Sequence, residues 1–249
     1  MRNQKHNQLI PISDKYSVLS SMRQRTVLVT GANGYIGNAV AKAFNRAGWK
    51  TYGLVRRVDD ASDLAKNEIY PIIGAPKDFG SSSEANSDHF THPVFDVVVS
   101  NTEDWSNFTK HFEEVRAMLL YIGECSSVVG IRPLVLFSSG CKDYGFTGHH
   151  GDSDLAPHTE TSPPNAPPIL LPRTKMSSSL LQARSEQPFD IAIIRPTPVY
   201  GYGSSNYGPL FILAQNSGDT GVLPIPASPN SIMHGAHVDD CADAYVALA

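Results

Sequence analysis

Apolar positions along the chain fall into two rhythms. Short β-branched runs, most of them apolar on both faces, recur at 26–30, 51–55, 69–73, 96–100, 134–138 and 191–195, each flanked by Gly, Pro, Asn or Ser. Strands that are apolar on both faces must be covered on both sides, and segments long enough for a helix separate them. The pattern therefore predicts an α/β fold, a doubly wound parallel sheet with helices on both faces. Between the runs, Ile36, Val40, Ala43 and Ala47 repeat at helical spacing before Gly48, a residue suited to end a helix. Phe108, Phe112, Val115, Leu119 and Ile122 mark a second, strongly amphipathic helix.

Two stretches break the alternation. Residues 76–93 are rich in Ser, Asp and Gly and show no period, so a loop with at most a short helix is expected there. Residues 157–172 contain Pro157, Pro163, Pro164, Pro167, Pro168 and Pro172. That forbids continuous helix and starves a ladder of donors, which predicts an extended surface loop, placed as a lid over a site. Further on, Asp239 is positioned to cap a helix whose face includes Ala242, Tyr245 and Val246. That helix runs to Ala249 without a terminating Gly or Pro, so the chain is expected to end short of a finished domain.

Composition narrows the classes of function. In 249 residues, 41% are hydrophobic, enough for a substantial core and against a disordered or fibrous chain. With 20 basic and 24 acidic side chains the net charge is −4. This lacks the basic excess that nucleic acid demands, whereas a phosphate-bearing cofactor needs only one local site. The three cysteines, Cys125, Cys141 and Cys241, form neither a CxxC pair nor a disulfide framework, which fits a reducing, cytoplasmic setting. No apolar run approaches bilayer length, and the polar first segment with Pro11 lacks the apolar core of a secretory signal. Neither nucleic acid nor membrane is an expected partner.

The chemistry is carried by Thr30-Gly31-Ala32-Asn33-Gly34-Tyr35-Ile36-Gly37, which follows the first strand and opens into the first helix. Glycines there tighten the turn and let backbone approach a pyrophosphate, and the helix start offers unpaired N–H groups to the anion. At the end of the second strand stand Arg56 and Arg57. A 2′-phosphate on the adenosine ribose needs a cation, which favours NADP, with NAD as the alternative if Asp59 or Asp60 instead holds a free ribose hydroxyl.

The GxxGxxG spacing resembles the extended or atypical short-chain dehydrogenase/reductase family, the NAD(P)-dependent epimerase/dehydratase group. The resemblance runs from about 26 to 249. It rests also on Ser138-Ser139 with Tyr144-Gly145 behind them, Lys175, the run Arg195-Pro196-Thr197-Pro198-Val199-Tyr200-Gly201, and His237-Val238-Asp239-Asp240. The polar segment 1–24, ahead of it, reads as a flexible extension. Residues 25–249 would form an NAD(P)-binding Rossmann-like domain with part of a substrate-binding region. The resemblance further implies an NADP-dependent oxidoreductase or epimerase/dehydratase acting on a small carbonyl or hydroxyl substrate, with a homodimer among the assemblies to be considered. Gly31, Asn33, Gly34, Tyr35, Ile36, Gly37, Arg56, Pro196 and Val199 would hold the cofactor, Lys175 the nicotinamide ribose, and Ser139 the substrate oxygen.

In the family a Tyr four residues before the Lys exchanges the proton. Here that position is Leu171, followed by Pro172. Three readings stay open: another side chain is the acid, with Tyr144 carried forward from a set that includes His149, Tyr200 and Tyr207; the register near the proline-rich loop is shifted; or the protein binds NAD(P) as a sensor or scaffold without redox chemistry. No metal site is expected. His149, His150, Asp152, Asp154 and His158 read as a solvated loop, and His234 with His237, Asp239 and Asp240 as a capped helix start. Cys141, with no base in its neighbourhood of the sequence, reads as a small residue in a tight loop, and Trp49 and Trp105 as packing residues.

Overall fold

The computed structural model describes residues 23–81, 88–202, 204–205, 207–218, 221–223, 225 and 227–249. The predicted extension at 1–24 therefore lies outside the described residues except for its last two. The Arg23 guanidinium pairs with Asp96, and the Gln24 amide donates to the Gly48 carbonyl at 3.1 Å.

Six strands build one parallel sheet: β1 (Thr26–Thr30), β2 (Lys50–Val55), β3 (Tyr70–Ile73), β4 (Val97–Ser100), β5 (Leu134–Ser138) and β6 (Asp190–Ile194). Their spatial order is β3-β2-β1-β4-β5-β6. The chain moves outward from β1 to β3 and then returns to β1's other side, so a switch point opens between the carboxyl ends of β1 and β4. The β-branched runs account for both faces. Val27, Val29, Val97, Val99 and Leu136 point into one buried layer, and Leu28, Val98, Val135 and Phe137 into the other.

Helix α1 (Tyr35–Arg46) covers the first layer and ends as the sequence predicts, with Gly48 at φ +82° beyond it. The chain's last helix packs on α1 and buries Ala242 and Tyr245 in the same layer. The second layer is closed by the long amphipathic helix spanning Phe108–Val128, through Val115, Met118, Leu119 and Ile122. The first irregular stretch is close to expectation, with a 3-10 turn at Pro76–Asp78 and one helical turn at Asp88–Thr91, while 82–87 lie outside the described residues; in the second, 157–172, the last two residues, Leu171 and Pro172, already open a helix. In the order of the chain the helices are α1, α2 (Asp59–Ala65), α3 (Asp88–Thr91), α4 (Phe108–Val128), α5 (Leu171–Gln182), α6 (Gly208–Asn216) and α7 (Val238–Leu248).

A small three-stranded sheet, β7 (Val199–Gly201), β8 (Ser204–Ser205) and β9 (Ala236–His237), follows β6 in order β8-β7-β9 and leads into α7. One expectation is corrected here. The cap of α7 is His237, whose Nδ1 accepts the Asp239 N–H at 3.3 Å; Asp239 sits in the first turn instead and receives the Tyr202 hydroxyl. An imidazole nitrogen does the work usually given to an oxygen. Among the described residues no helix is long and apolar enough to cross a membrane.

Candidate active site

The turn after β1 is built around its glycines. Gly31 has φ +63°, and the Gly34 N–H donates to the Gly31 carbonyl at 2.8 Å. A Cβ on Gly37 would stand 2.2 Å from that same carbonyl, so only glycine lets α1 pass so close to the strand end. Neither a side-chain cap nor an acidic residue occupies the first turn of α1, so no carboxylate there offsets the positive end of its dipole.

The glycine turn opens on a cleft of about 620 Å³, lined among others by Gly31, Asn33, Gly34, Arg56, Lys77 and Trp105. The charges at the end of β2 are sorted by their partners. Arg57 grips Asp60 through two hydrogen bonds, and Asp60 also receives the Asn33 amide at 2.9 Å. Hydrogen bonds from Arg57 hold the Asp60 carboxyl below the usual carboxylate range. Of Arg56, Arg57, Asp59 and Asp60, the one that lines the cleft is Arg56.

A second cleft of about 600 Å³ continues from the first, sharing Asn101, Glu103 and Trp105 with it. Its walls come from the ends of β4, β5 and β6 and the start of α5. Ser138 donates to Asn101 and meets the Tyr245 hydroxyl at 2.8 Å, while Ser139 donates to Asp143 at 2.6 Å. Asp143 is fully buried and also accepts from Thr174 Oγ1 at 2.7 Å, Arg195 Nε at 2.9 Å and Arg173 Nη2 at 3.3 Å. Two guanidiniums and two hydroxyls thus compensate one carboxylate, which makes the burial tolerable.

Of the predicted site residues, Gly31, Asn33, Gly34 and Arg56 meet in the first cleft, and Tyr35, Ile36, Ser139, Pro196 and Val199 in the second. Gly37 lies beneath the turn. Two do not join them. Tyr144 stacks on His158 with centroids 5.0 Å apart and lies under the Arg195 guanidinium, outside the lining of either cleft. Lys175 is exposed and also lines neither. The reason is helix rotation: Arg173 and Thr174 both bond Asp143, and Lys175 stands about 200° around the helix from Arg173. Arg173 lines the cleft in its stead, and Leu171 is exposed outside it.

Two residues gain significance that their sequence neighbourhood did not signal. Trp105, expected to be a packing residue, is 61% exposed and lines both clefts, whereas Trp49 is packed edge-on against Phe44 as expected. Cys141 lines the second cleft with its sulfur 3.7 Å from His234 Nε2, so the thiol does have an imidazole partner, 93 residues away. Burial pushes the Cys141 thiol pKa up.

Strand order, switch point and glycine cradle together define an α/β protein of the doubly wound, dinucleotide-binding type. The family assignment agrees: residues 27–249 match the model of the NAD dependent epimerase/dehydratase family, and the chain belongs to that family. Similar solved structures include the terminal R domain from the myxalamid PKS-NRPS biosynthetic pathway, with 20% identity, a TM-score of 0.62, and coverage of 92% of this chain and 63% of that one. Another is dTDP-glucose 4,6-dehydratase from Bacillus anthracis in complex with NAD, with 16% identity, a TM-score of 0.68, and coverage of 90% and 71%. A third is TunA, an NAD dependent NDP-hexosamine 5,6-dehydratase involved in tunicamycin biosynthesis, with 18% identity, a TM-score of 0.61, and coverage of 90% and 72%. At these identities the likeness is one of fold. The chain spans less than two thirds of the length of the myxalamid domain. No curated protein matches it.

Proposed function

We propose that the protein is an NADP-dependent oxidoreductase or epimerase/dehydratase acting on a small carbonyl or hydroxyl substrate. The observation that carries the reading is the pairing of the glycine cradle with Arg56 in one cleft, while Arg57 and Asp60 neutralise each other beside it. A carboxylate aimed at the adenosine ribose would repel a 2′-phosphate; here the carboxylate is engaged by Arg57 and Asn33, and Arg56 and Lys77 supply positive charge to the cleft wall.

The residues fit such a cofactor. Gly31, Gly34 and Gly37 let the turn close tightly on itself beside the first cleft, and among the described residues two buried side-chain atoms on residues lining the second cleft, Asn101 Nδ2 and Thr197 Oγ1, lack protein partners. When bound, the reduced nicotinamide supplies hydride. The chain's own residues then divide the labour: the α1 amides and Arg56 hold phosphate, Pro196 and Val199 flank the nicotinamide, and Trp105 bridges the two clefts. Ser139, its proton committed to Asp143, accepts a hydrogen bond from a substrate hydroxyl in the oxidative direction.

The test is a fluorescence titration of the purified protein with NADPH and NADH, followed by NADPH oxidation at 340 nm over a panel of small aldehydes and ketones. Saturable, tighter binding of NADPH with turnover of a panel member is expected. Absence of binding to either nucleotide would reject the reading. Binding without turnover would instead favour a dinucleotide sensor.

A further inference from the structure

We infer that Cys141, paired with His234, is the proton-transfer group of the second cleft, giving its Sγ–H to the oxygen of a carbonyl substrate and recovering a proton through His234 Nε2. The inference rests on the nicotinamide-dependent reading above and identifies the acid that Leu171 cannot be.

The geometry supports it from several sides. Cys141 stands two residues beyond Ser139 in the cleft wall, and its N–H donates to the Pro196 carbonyl at 3.0 Å, fixing the backbone from which the thiol projects. The sulfur lies 3.7 Å from His234 Nε2, a hydrogen-bonding distance for sulfur. His234 is itself held, because the Tyr207 hydroxyl donates to its carbonyl at 2.5 Å. Imidazole is the side chain best suited to resupply a proton near neutral pH.

Elimination among the other lining groups points the same way. The Tyr35 hydroxyl donates to the Gly201 carbonyl at 2.9 Å. Ser138 donates to Asn101 and Ser139 to Asp143. Glu103 is paired with Arg173, whose guanidinium does not deprotonate. The Lys142 ammonium lies over the Phe146 ring. Cys141 alone among these combines an exchangeable proton with a neighbour able to return it. Burial raises the thiol pKa and keeps it protonated, which suits an acid and disfavours a nucleophile. Around it, Lys142 and Arg173 pull the other way, Asp143 adds to the rise, and His234 faces the sulfur from the segment before β9.

The step balances. The substrate carbon takes a hydride, two electrons, from a reduced nicotinamide, and the C=O π pair moves onto oxygen. The S–H bond breaks as the O–H bond forms, and the thiolate takes a proton from the imidazolium, which is replenished from solvent. Carbonyl, reduced nicotinamide and one proton give alcohol and oxidised nicotinamide.

The pairing is tested first without turnover, by peptide-resolved mass spectrometry of iodoacetamide alkylation at Cys141 between pH 6 and 10, in the wild type and His234→Gln. A threefold or larger change in rate, with a displaced pH profile, is expected; superimposable profiles would overturn the pair whatever the fate of the cofactor reading. Cys141→Ala is then compared with the wild type in NADPH binding and in kcat. Unchanged affinity with kcat lowered about 100-fold or more is expected for loss of a general acid. A kcat within threefold of wild type overturns the role, as does a wild type that binds NADPH yet reduces no carbonyl. Loss of NADPH binding by the wild type itself would instead reject the underlying reading.

Discussion

Arg57 holds Asp60 with two hydrogen bonds, of 3.1 and 2.7 Å, and so leaves Arg56 as the β2-end arginine that lines the first cleft. Arg56→Ala should therefore raise the Kd for NADPH about tenfold or more, since one charge-assisted hydrogen bond is worth about 1.5–3 kcal/mol. The Kd for NADH should stay within twofold. Parallel fluorescence titrations check this, and equal losses for both nucleotides would refute Arg56 as the phosphate cation.

The glycine turn predicts a coupled loss of binding and stability. A Cβ at residue 37 would meet the Gly31 carbonyl oxygen at 2.2 Å, and backbone on both sides leaves nothing flexible to yield. Gly37→Ala should cost about 1–3 kcal/mol, as overpacking does. It should lower Tm by several degrees and abolish NADPH binding, measured by thermal melting and titration.

Asp143 predicts a large effect from a residue that lines neither cleft. Removing its carboxylate leaves Arg195, 16% exposed at its side chain, and Arg173, 11% exposed, without their shared anion. Asp143→Ala should cost about 3–5 kcal/mol, the range for breaking a buried ion pair, read from urea denaturation. The same change frees α5 from the bonds to Arg173 and Thr174 that set its rotation, so an engineered cysteine replacing Lys175 should change its labelling rate in that background.

Two buried groups on α7 contribute to the alkaline side of the stability profile. Burial raises the pKa of both the Cys241 thiol and the Tyr245 hydroxyl. Above the unfolded thiol value of about 8.5, and later above about 10 for tyrosine, the unfolded chain releases protons that the folded one retains, so stability falls as pH rises. Melting temperatures at pH 7, 9 and 10 should decline in that order, and Cys241→Ala should shrink the earlier part of the decline, leaving the share of the Cys141 thiol.

Much of the architecture was legible because its signals are local. The runs at 26–30 and 134–138 match β1 and β5 to the residue, and the others agree to within one residue at either end. Side chains that alternate or recur at helical spacing report the layer they are buried in without knowledge of what covers them. The glycine turn was legible for the same reason, since strand, turn and helix follow one another directly. The cap of α7 was not, because His237 and Asp239 both sit where a cap could be and only their relative placement selects between them.

The sequence by itself determined the sheet, the helices that sandwich it, the glycine turn and the family. Tertiary structure decided which side chains face the clefts. Arg56 is available because Arg57 and Asn33 occupy Asp60; Lys175 turns outward because Thr174 and Arg173 are drawn to Asp143; and Cys141 gains His234 from a segment 93 residues away. Periodicity is a property of neighbours in the chain, whereas a hydrogen bond between loops depends on where the whole sheet brings them, and a one-residue rotation of a helix exchanges the residue that faces the site.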